Sequence, residues 1–208
     1  MSETKKQKKP EGILQNIITY FCFKADPNST TKLTKLCYLA DVYHYQMYGK
    51  RLTNLPFKHF HFGPWTKEIQ MTLEELYERG IIVEKRIRTK KGQDATIPKP
   101  NIPQAEITLS KDAFKTLEDV IIDWGEATTE EIVNYCKKTL PFLSTPFDER
   151  IDFSRTDEIK EYAKKKGVSK QKAATLDVIS NKNLLKNTLK GMKEAQDGKF
   201  LDYKAVFD

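Results

Sequence analysis

The sequence predicts a mainly α-helical fold of the α+β class, with one small β-hairpin and a helical C-terminal extension. Apolar residues recur at intervals of three and four along most of the chain up to about residue 150, a spacing typical of one helix face. Between residues 81 and 109 short segments rich in β-branched residues replace that spacing and predict a hairpin. Hydrophobic residues make up 38% of the 208, enough to form a buried core.

Three helices are predicted before the hairpin. The first carries its apolar stripe over residues 13–21, and the second has N-cap candidates at Ser29–Thr31 and a stop at Gly49. The apolar face of the second helix comprises Leu33, Leu36, Cys37, Ala40, His44 and Met47. Residues 50–63 are expected to be loop or extended chain, with aromatic residues alternating with basic or polar ones. The third helix then runs to Gly80.

The predicted hairpin begins with a strand over residues 81–88. Residues 106–109 are expected to pair with it. The intervening residues 89–105 include three prolines and a glycine, which predict a long, mobile tip.

Two helices follow the hairpin. Ser110 is an N-cap candidate for the first, which ends at Gly125, and Thr128 and Glu131 have the spacing of a capping box for the second. Pro141 is expected to end that helix. The resulting order of helices and hairpin is similar to a winged-helix arrangement. The extension has further helical patterns at residues 157–166, 169–179 and 183–195.

The formal charge of +7 lies mainly at the two ends of the chain. Residues 1–10 contribute +3 and residues 154–208 contribute +5, which leaves −1 for residues 11–153. The basic character therefore does not mark the globular part as a nucleic-acid-binding domain. We expect a disordered basic N-terminus (1–11), a globular domain (12–153) and a basic helical extension (154–208).

Cysteine usage and the absence of a long apolar run predict a cytoplasmic protein. Cys22, Cys37 and Cys136 are odd in number and match no metal or redox spacing, so we expect buried free thiols. No apolar run approaches the ~20 residues that span a bilayer. No secretory signal is expected, because the charged first residues are not followed by an apolar stretch.

The sequence offers little support for catalysis or for a bound cofactor. His59 and His61 have the spacing of two zinc ligands on an extended segment, but no third ligand is indicated, so surface or partly buried histidines are favoured. His44 is expected to be a hydrogen-bonded core residue. Cys37 lies where a core residue is needed, and the glutamates of the third helix form a solvated face. We therefore predict no metal, no cofactor and no enzymatic activity.

DNA binding through a winged helix is an alternative that the charges do not favour. The first strand and the tip contain Lys85, Arg86, Arg88, Lys90, Lys91 and Lys99, which could contact phosphates. The helix expected to enter the groove, residues 66–79, carries four glutamates and would be repelled there.

Two regions are candidates for binding a protein partner. Tyr45 and Tyr48 lie opposite the apolar stripe of their helix, where they could contact another layer of the domain or a partner. Tyr38, on the same side, is expected to belong to the core. The extension presents apolar residues that could pack back onto the domain or act as an arm that binds a partner: Leu185, Leu189, Met192, Phe200, Leu201, Tyr203 and Phe207.

The segment from Lys32 to Trp65 resembles a known family pattern. It has a helix of the form K-L-x-K-L-x-Y-x-A-D, then a glycine, an aromatic-rich stretch and a Gly-Pro turn. The matching residues are Lys32, Leu33, Lys35, Leu36, Tyr38, Ala40, Asp41, Gly49, Phe60, Gly63 and Pro64. This pattern is similar to that of the Panacea domain, found in SocA-like antitoxins and phage-associated GepA-type proteins. The resemblance extends over residues 12–153. The chain lacks the histidine that many members have after the last core helix.

The resemblance implies that the chain is an antitoxin that neutralises a cognate toxin protein by binding it. Toxins paired with this family are chemically diverse, and the family also suggests a role as a proteolytic adaptor. The alternative from the residues is a DNA-binding regulator of its own operon. We expect the segment from Lys32 to Trp65 to support the fold and, if the chain is an antitoxin, the toxin to be chosen by residues of the tail, the hairpin and the exposed tyrosines.

Overall fold

The structure, a computed structural model, describes residues 9–25, 29–88, 92 and 94–154. These residues form six α-helices and one two-stranded antiparallel sheet, which confirms the mainly helical fold class with a small hairpin. The elements are α1 (Gly12–Lys24), α2 (Thr30–Tyr48), α3 (Glu68–Glu78), β1 (Ile82–Arg88), β2 (Asp94–Pro100), α4 (Lys111–Trp124), α5 (Thr129–Cys136) and α6 (Leu140–Leu143).

Helix α2 is central and contacts α1, α3, α4 and α5. Its ends are as predicted: the side chain of Ser29 accepts a hydrogen bond from the backbone of Lys32, and Gly49 ends the helix with a φ of 68°. The helix is buried on two sides from Lys32 to His44, because neighbours cover both the predicted apolar face and the opposite, more polar face. Met47, expected on the apolar face, is exposed because it lies in the last turn, beyond the buried part.

The predicted caps of α4 and α5 are confirmed. The Ser110 side chain accepts from the backbone of Ala113, and Thr128 and Glu131 form both bonds of a capping box. The prediction that Pro141 ends α5 is wrong, because α5 already ends at Cys136. Pro141 instead lies in the first turn of α6, where a backbone N–H has no acceptor within the helix, so proline loses no hydrogen bond there.

The hairpin pairs differently from the prediction. Its second strand is β2, within the expected mobile tip, and not residues 106–109, which follow a 3₁₀ turn. Two prolines made β2 look unlike a strand. Pro98 and Pro100 are two residues apart, opposite Glu84 and Ile82, so they lie on the same side of the hydrogen-bonding pattern. In an antiparallel pair, the backbone N–H groups of alternate residues can point away from the partner strand, so a proline at such a position removes no hydrogen bond between the strands.

The three cysteines are buried free thiols, as predicted. Cys22 lies in α1, Cys37 in α2 and Cys136 at the end of α5. Within the described residues, no helix combines the length and the apolar character needed to cross a membrane.

Candidate functional site

A buried carboxylate on α2 holds the start of the loop that follows this helix. The side chain of Asp41 is fully buried and accepts hydrogen bonds from the backbone N–H and the hydroxyl of Thr53, at 2.6 and 2.8 Å. It also pairs with Arg51, whose Nε and Nη2 lie 2.9 and 2.5 Å from Oδ2. Burial raises the pKa of Asp41, and the donors from Arg51 and Thr53 oppose that rise. This network fixes the start of the loop against α2.

Three residues further along α2 towards the N-terminus, Tyr38 binds a different segment. Its hydroxyl lies 2.7 Å from Oγ1 of Thr139, and the Thr139 hydroxyl donates to the Cys136 carbonyl, so Tyr38 is the donor of this pair. The Tyr38 ring packs edge-on against Phe57, with centroids 5.3 Å apart. Tyr38 therefore connects the loop after α2 with the segment after α5, and it belongs to the core.

Lys35, one turn earlier again, holds the end of the loop. Its ammonium group is buried and donates to the carbonyl of Pro64 at 2.6 Å. Burial lowers the pKa of Lys35 to about 8. Gly63 has a φ of 84°, and a Cβ placed on it would lie 3.3 Å from Cε of Lys35. The Gly-Pro turn thus needs glycine for its backbone angle and for the close approach of the lysine.

Lys35, Tyr38 and Asp41 lie three residues apart, so they share one face of α2. Each binds a different segment that packs against that face. This explains the spacing K-x-x-Y-x-x-D in the sequence motif, since its polar members hold loops in place by buried hydrogen bonds. The fourth polar motif residue, Lys32, continues the same three-residue spacing at the start of α2 and donates to the carbonyl of Gly125, between α4 and α5, at 2.7 Å.

The loop and one residue after α6 form a cluster of exposed rings, which we call the aromatic patch: Phe60, His61, Phe62 and Trp65 from the loop, and Phe147. Phe60 lies between Trp65 and Phe147, at centroid distances of 6.0 and 5.8 Å, and it stacks on Phe147. His61 lies 4.5 Å from Phe147. Phe62 is 72% exposed and Trp65 47% exposed. Such a group of large exposed rings is uncommon on a monomer surface and is typical of a binding surface.

Backbone pairing holds the patch in place. Lys58 and Trp65 exchange two backbone hydrogen bonds, at 2.8 and 3.0 Å, and His59 exchanges two bonds of 2.9 Å with residues 148 and 149. His59 also donates from Nδ1 to the Thr145 carbonyl at 2.6 Å, because a carbonyl can only accept, and its ring lies 3.8 Å from that of Phe142. The rings of the patch are therefore displayed on ordered backbone.

A groove of about 750 Å³ runs beside the patch. Phe60, Phe62 and Trp65 line it together with residues from the first two turns of α2 and α5 and with one further residue each from the loop and from α3. Those further lining residues are Thr30, Thr31, Thr34, Lys35, Gly63, Gln70, Thr129, Glu130 and Val133.

Of the residues predicted to contact a partner, Tyr45 and Tyr48 lie within the described residues, and neither belongs to the aromatic patch. Tyr45 is half-buried with its ring 5.8 Å from that of Phe153, and Tyr48 is half-buried with its ring 4.5 Å from that of His44. The seven candidates of the extension, Leu185, Leu189, Met192, Phe200, Leu201, Tyr203 and Phe207, lie outside the described residues.

The three histidines lie in two different surroundings, the core and the aromatic loop. His44 is a buried core residue, with Nδ1 2.8 Å from Oγ1 of Thr116, as predicted. His59 and His61 belong to the aromatic loop, and within the described residues no group of three or more His, Cys, Asp or Glu is arranged to hold a metal.

Sequence reasoning missed the aromatic patch, although one signal was available. Residues 57–65 alternate rings with polar residues in a stretch that lacks helical spacing and has no predicted strand partner. Alternation in a strand buries every second ring against a core. In this loop, Phe57 is buried while Phe62 and Trp65 are exposed. What could not be read from the sequence is that Phe147 joins the same cluster.

The structure shows how exposed the charged residues are on which the winged-helix alternative depends. Lys85, Arg86 and Arg88 are exposed on β1 and Lys99 is half-buried on β2, while Lys90 and Lys91 lie outside the described residues. The exposed side of α3 presents Gln70, Met71, Glu74, Glu75 and Glu78. A DNA phosphate backbone would repel that acidic side.

Comparison with known proteins gives a family match and no individual relative. No curated protein and no solved structure matches the chain. The family model for antitoxin SocA-like proteins, the Panacea domain, matches residues 33–141, slightly more than half of the chain. The matched part includes Lys35, Tyr38, Asp41 and the patch from Phe60 to Trp65, but not Phe147. The chain therefore belongs to the family of SocA-like antitoxins with a Panacea domain.

Proposed function

We propose that this protein neutralises a cognate toxin by binding it directly and covering the toxin's active surface, a non-catalytic role. The observation that carries the proposal is the aromatic patch, displayed on a chain that belongs to an antitoxin family. Trp and Phe are enriched in the cores of protein interfaces, where a few large side chains supply most of the binding energy. Phe62 and Trp65 are the side chains we assign to that role.

The way the patch is held supports this assignment. Binding costs free energy whenever a loop must be ordered, and that cost reduces affinity. Here, backbone hydrogen bonds and the buried side chain of Lys35 already fix the loop in the free protein. The groove beside the patch offers space for an apolar side chain of the toxin next to Trp65.

The test begins with the protein encoded by the reading frame next to that of this chain. Expressed alone, that protein should stop growth, and co-expression with the wild-type chain should restore it. Phe62→Ala and Trp65→Ala should each weaken binding of the purified toxin by about 30-fold, the effect of losing a hot-spot side chain. The control is Ile122→Ala, because Ile122 is 78% exposed on α4 and does not line the patch or the groove.

Two results would contradict the proposal. A neighbouring product that is harmless alone, or that stays toxic beside the wild-type chain, removes the antitoxin function. Retention of full neutralisation by a Phe62→Ala/Trp65→Ala double variant would assign binding to another surface. We propose a second contact that comprises Tyr45, Tyr48 and the C-terminal extension. If a variant that lacks residues 181–208 still neutralises the toxin fully, the extension is not a toxin-binding arm.

A cytoplasmic location and a prophage association follow from this proposal and are part of it. The DNA-binding alternative has the exposed cations of β1 in its favour and the acidic side of α3 against it. A gel shift on the protein's own promoter at physiological salt is the relevant measurement, since binding that is lost above low salt is non-specific. A proteolytic adaptor, the remaining alternative, would deliver the toxin to a protease, so the toxin would disappear from co-expressing cells.

A further inference from the structure

Lys35 lies beneath the aromatic patch, at the point where the loop turns towards α3. Its Nζ donates to the carbonyl of Pro64, the residue between Gly63 and Trp65, and its side chain contributes to the floor of the groove. We propose that Lys35 is a positioning residue for partner binding, which holds Trp65 and Phe62 in the geometry that the partner recognises. This inference rests on the proposed function.

The peptide group between Pro64 and Trp65 is held at both ends. Its carbonyl oxygen accepts from Lys35 at 2.6 Å, and its N–H donates to the carbonyl of Lys58 at 3.0 Å. A planar peptide group with both polar atoms bound cannot rotate freely, so the direction in which Trp65 leaves the backbone is set. Without the ammonium group only the bond to Lys58 remains on this peptide.

Stability alone does not explain a lysine at this position. Burial of the ammonium group is unfavourable, as its lowered pKa of about 8 indicates. An apolar side chain of similar length would avoid that cost, and replacing buried charges by apolar groups is often neutral or stabilising. What the apolar side chain cannot do is donate to Pro64. The benefit of the lysine is therefore the fixed geometry of the loop.

The experiment compares Lys35→Met with Lys32→Met. Methionine keeps the length of the side chain and removes the donor. Lys32 is a matched control, because it is also a buried lysine that donates to backbone carbonyls, but its acceptors are Gly125 and, at 3.5 Å, Ala25. Thermal unfolding first verifies that both variants are folded.

Fluorotryptophan reports on the loop independently of any partner. Trp65 and Trp124 are the two tryptophans of the chain, and Trp124→Phe assigns their signals. Lys35→Met should change the fluorine chemical shift of Trp65 and leave that of Trp124 unchanged. Lys32→Met should leave the chemical shift of Trp65 unchanged. In the wild type, the Trp65 signal should also shift with a midpoint near pH 8, and Lys35→Met should abolish that transition.

Cys136, the titratable neighbour with the largest effect on Lys35, does not account for such a transition. Cys136 and Lys137 act on Lys35, the first raising and the second lowering its pKa. Burial raises the pKa of the Cys136 thiol, so this group stays protonated through pH 8. Loss of the transition in Lys35→Met alone assigns it to Lys35.

Binding of the protein encoded by the adjoining reading frame is the second readout. Lys35→Met should weaken it by about tenfold or more, and Lys32→Met should stay within about twofold of the wild type. An unchanged Trp65 signal or unchanged binding in Lys35→Met overturns the inference. If the wild type binds no neighbour-encoded protein, the proposed function fails and the partner-binding role of Lys35 falls with it. The fluorine spectrum then still decides whether Lys35 sets the loop geometry.

Discussion

The buried ammonium group of Lys35 should give the protein's stability a specific dependence on pH. Folding lowers the pKa of Lys35 from 10.5 to about 8. A base with a lowered pKa binds fewer protons in the folded state than in the unfolded state between these two values, so its contribution to stability rises with pH there. The difference of about 2.5 units corresponds to about 3 kcal/mol at 1.36 kcal/mol per unit.

Other groups titrate in the same range with the opposite sign. Burial raises the pKa of Cys37 and Cys136, so the folded state holds their protons longer and their contribution falls as pH rises. Measuring the wild type alone would therefore mix the two effects. Subtracting the stability of Lys35→Met removes the terms that the two proteins share.

The assay is urea unfolding of the wild type and Lys35→Met at several values from pH 7 to pH 10. The free energy of unfolding of the wild type minus that of the variant should increase by about 2–3 kcal/mol across this range. Near pH 7 the two proteins should differ by only about 1 kcal/mol, because relief of the buried charge offsets the loss of the bond to Pro64. A difference that stays constant with pH would show that the Lys35 ammonium is solvated, and would refute the argument from burial.

Three further substitutions test how the site is held together. Asp41→Ala should destabilise the protein by about 3–5 kcal/mol, since it leaves the Arg51 guanidinium without its carboxylate, whereas the exposed Glu78→Ala should stay within about 0.5 kcal/mol by urea unfolding. Gly63→Ala should cost more than Gly49→Ala in the same assay: both glycines have positive φ, but only the Cβ at Gly63 meets Lys35. Equal costs would exclude that contact. Thr128→Ala should lower stability by about 0.5–2 kcal/mol by removing the capping box of α5, and Thr128→Ser should restore most of it.

The helices could be predicted from the sequence because their signals are local. Ser29, Ser110 and Thr128 cap helices where their side chains and the following apolar spacing indicated. These signals depend on residues within one or two turns of each other. The order of α1 to α5 with the hairpin between α3 and α4 followed from the same patterns, as did the buried thiols, whereas α6 was not predicted.

The second strand could not be predicted for a physical reason. Prolines normally weaken a strand assignment, and β2 contains Pro98 and Pro100. Their effect depends on which side of the strand meets β1, and that side is set by the register, which the sequence of β2 alone does not specify. The tetrapeptide at residues 106–109, in which Ile107 and Leu109 alternate with polar residues and no proline occurs, therefore looked like the better partner.

The aromatic patch was missed because it depends on contacts between distant segments. Phe147 lies against Phe60 and His61 because the backbone of His59 pairs with residues 148 and 149. No spacing rule connects these segments. The expectation that Lys32 to Trp65 supports the fold while the partner is chosen elsewhere therefore becomes a finer proposal: Lys35, Tyr38 and Asp41 hold the loop, and the rings at its end bind.

This separation has a consequence for how specificity could change. Exposed side chains such as Phe62 contribute little to folding, since they bury little area, and substitutions at such positions usually change stability by less than about 0.5 kcal/mol. Lys35, Tyr38 and Asp41 are buried and bonded, so changing them alters the geometry of the whole loop. A protein built in this way can exchange the rings that contact a toxin and keep the loop that presents them. Diverse partners would then require new patch residues on a loop that the same buried face of α2 holds in place.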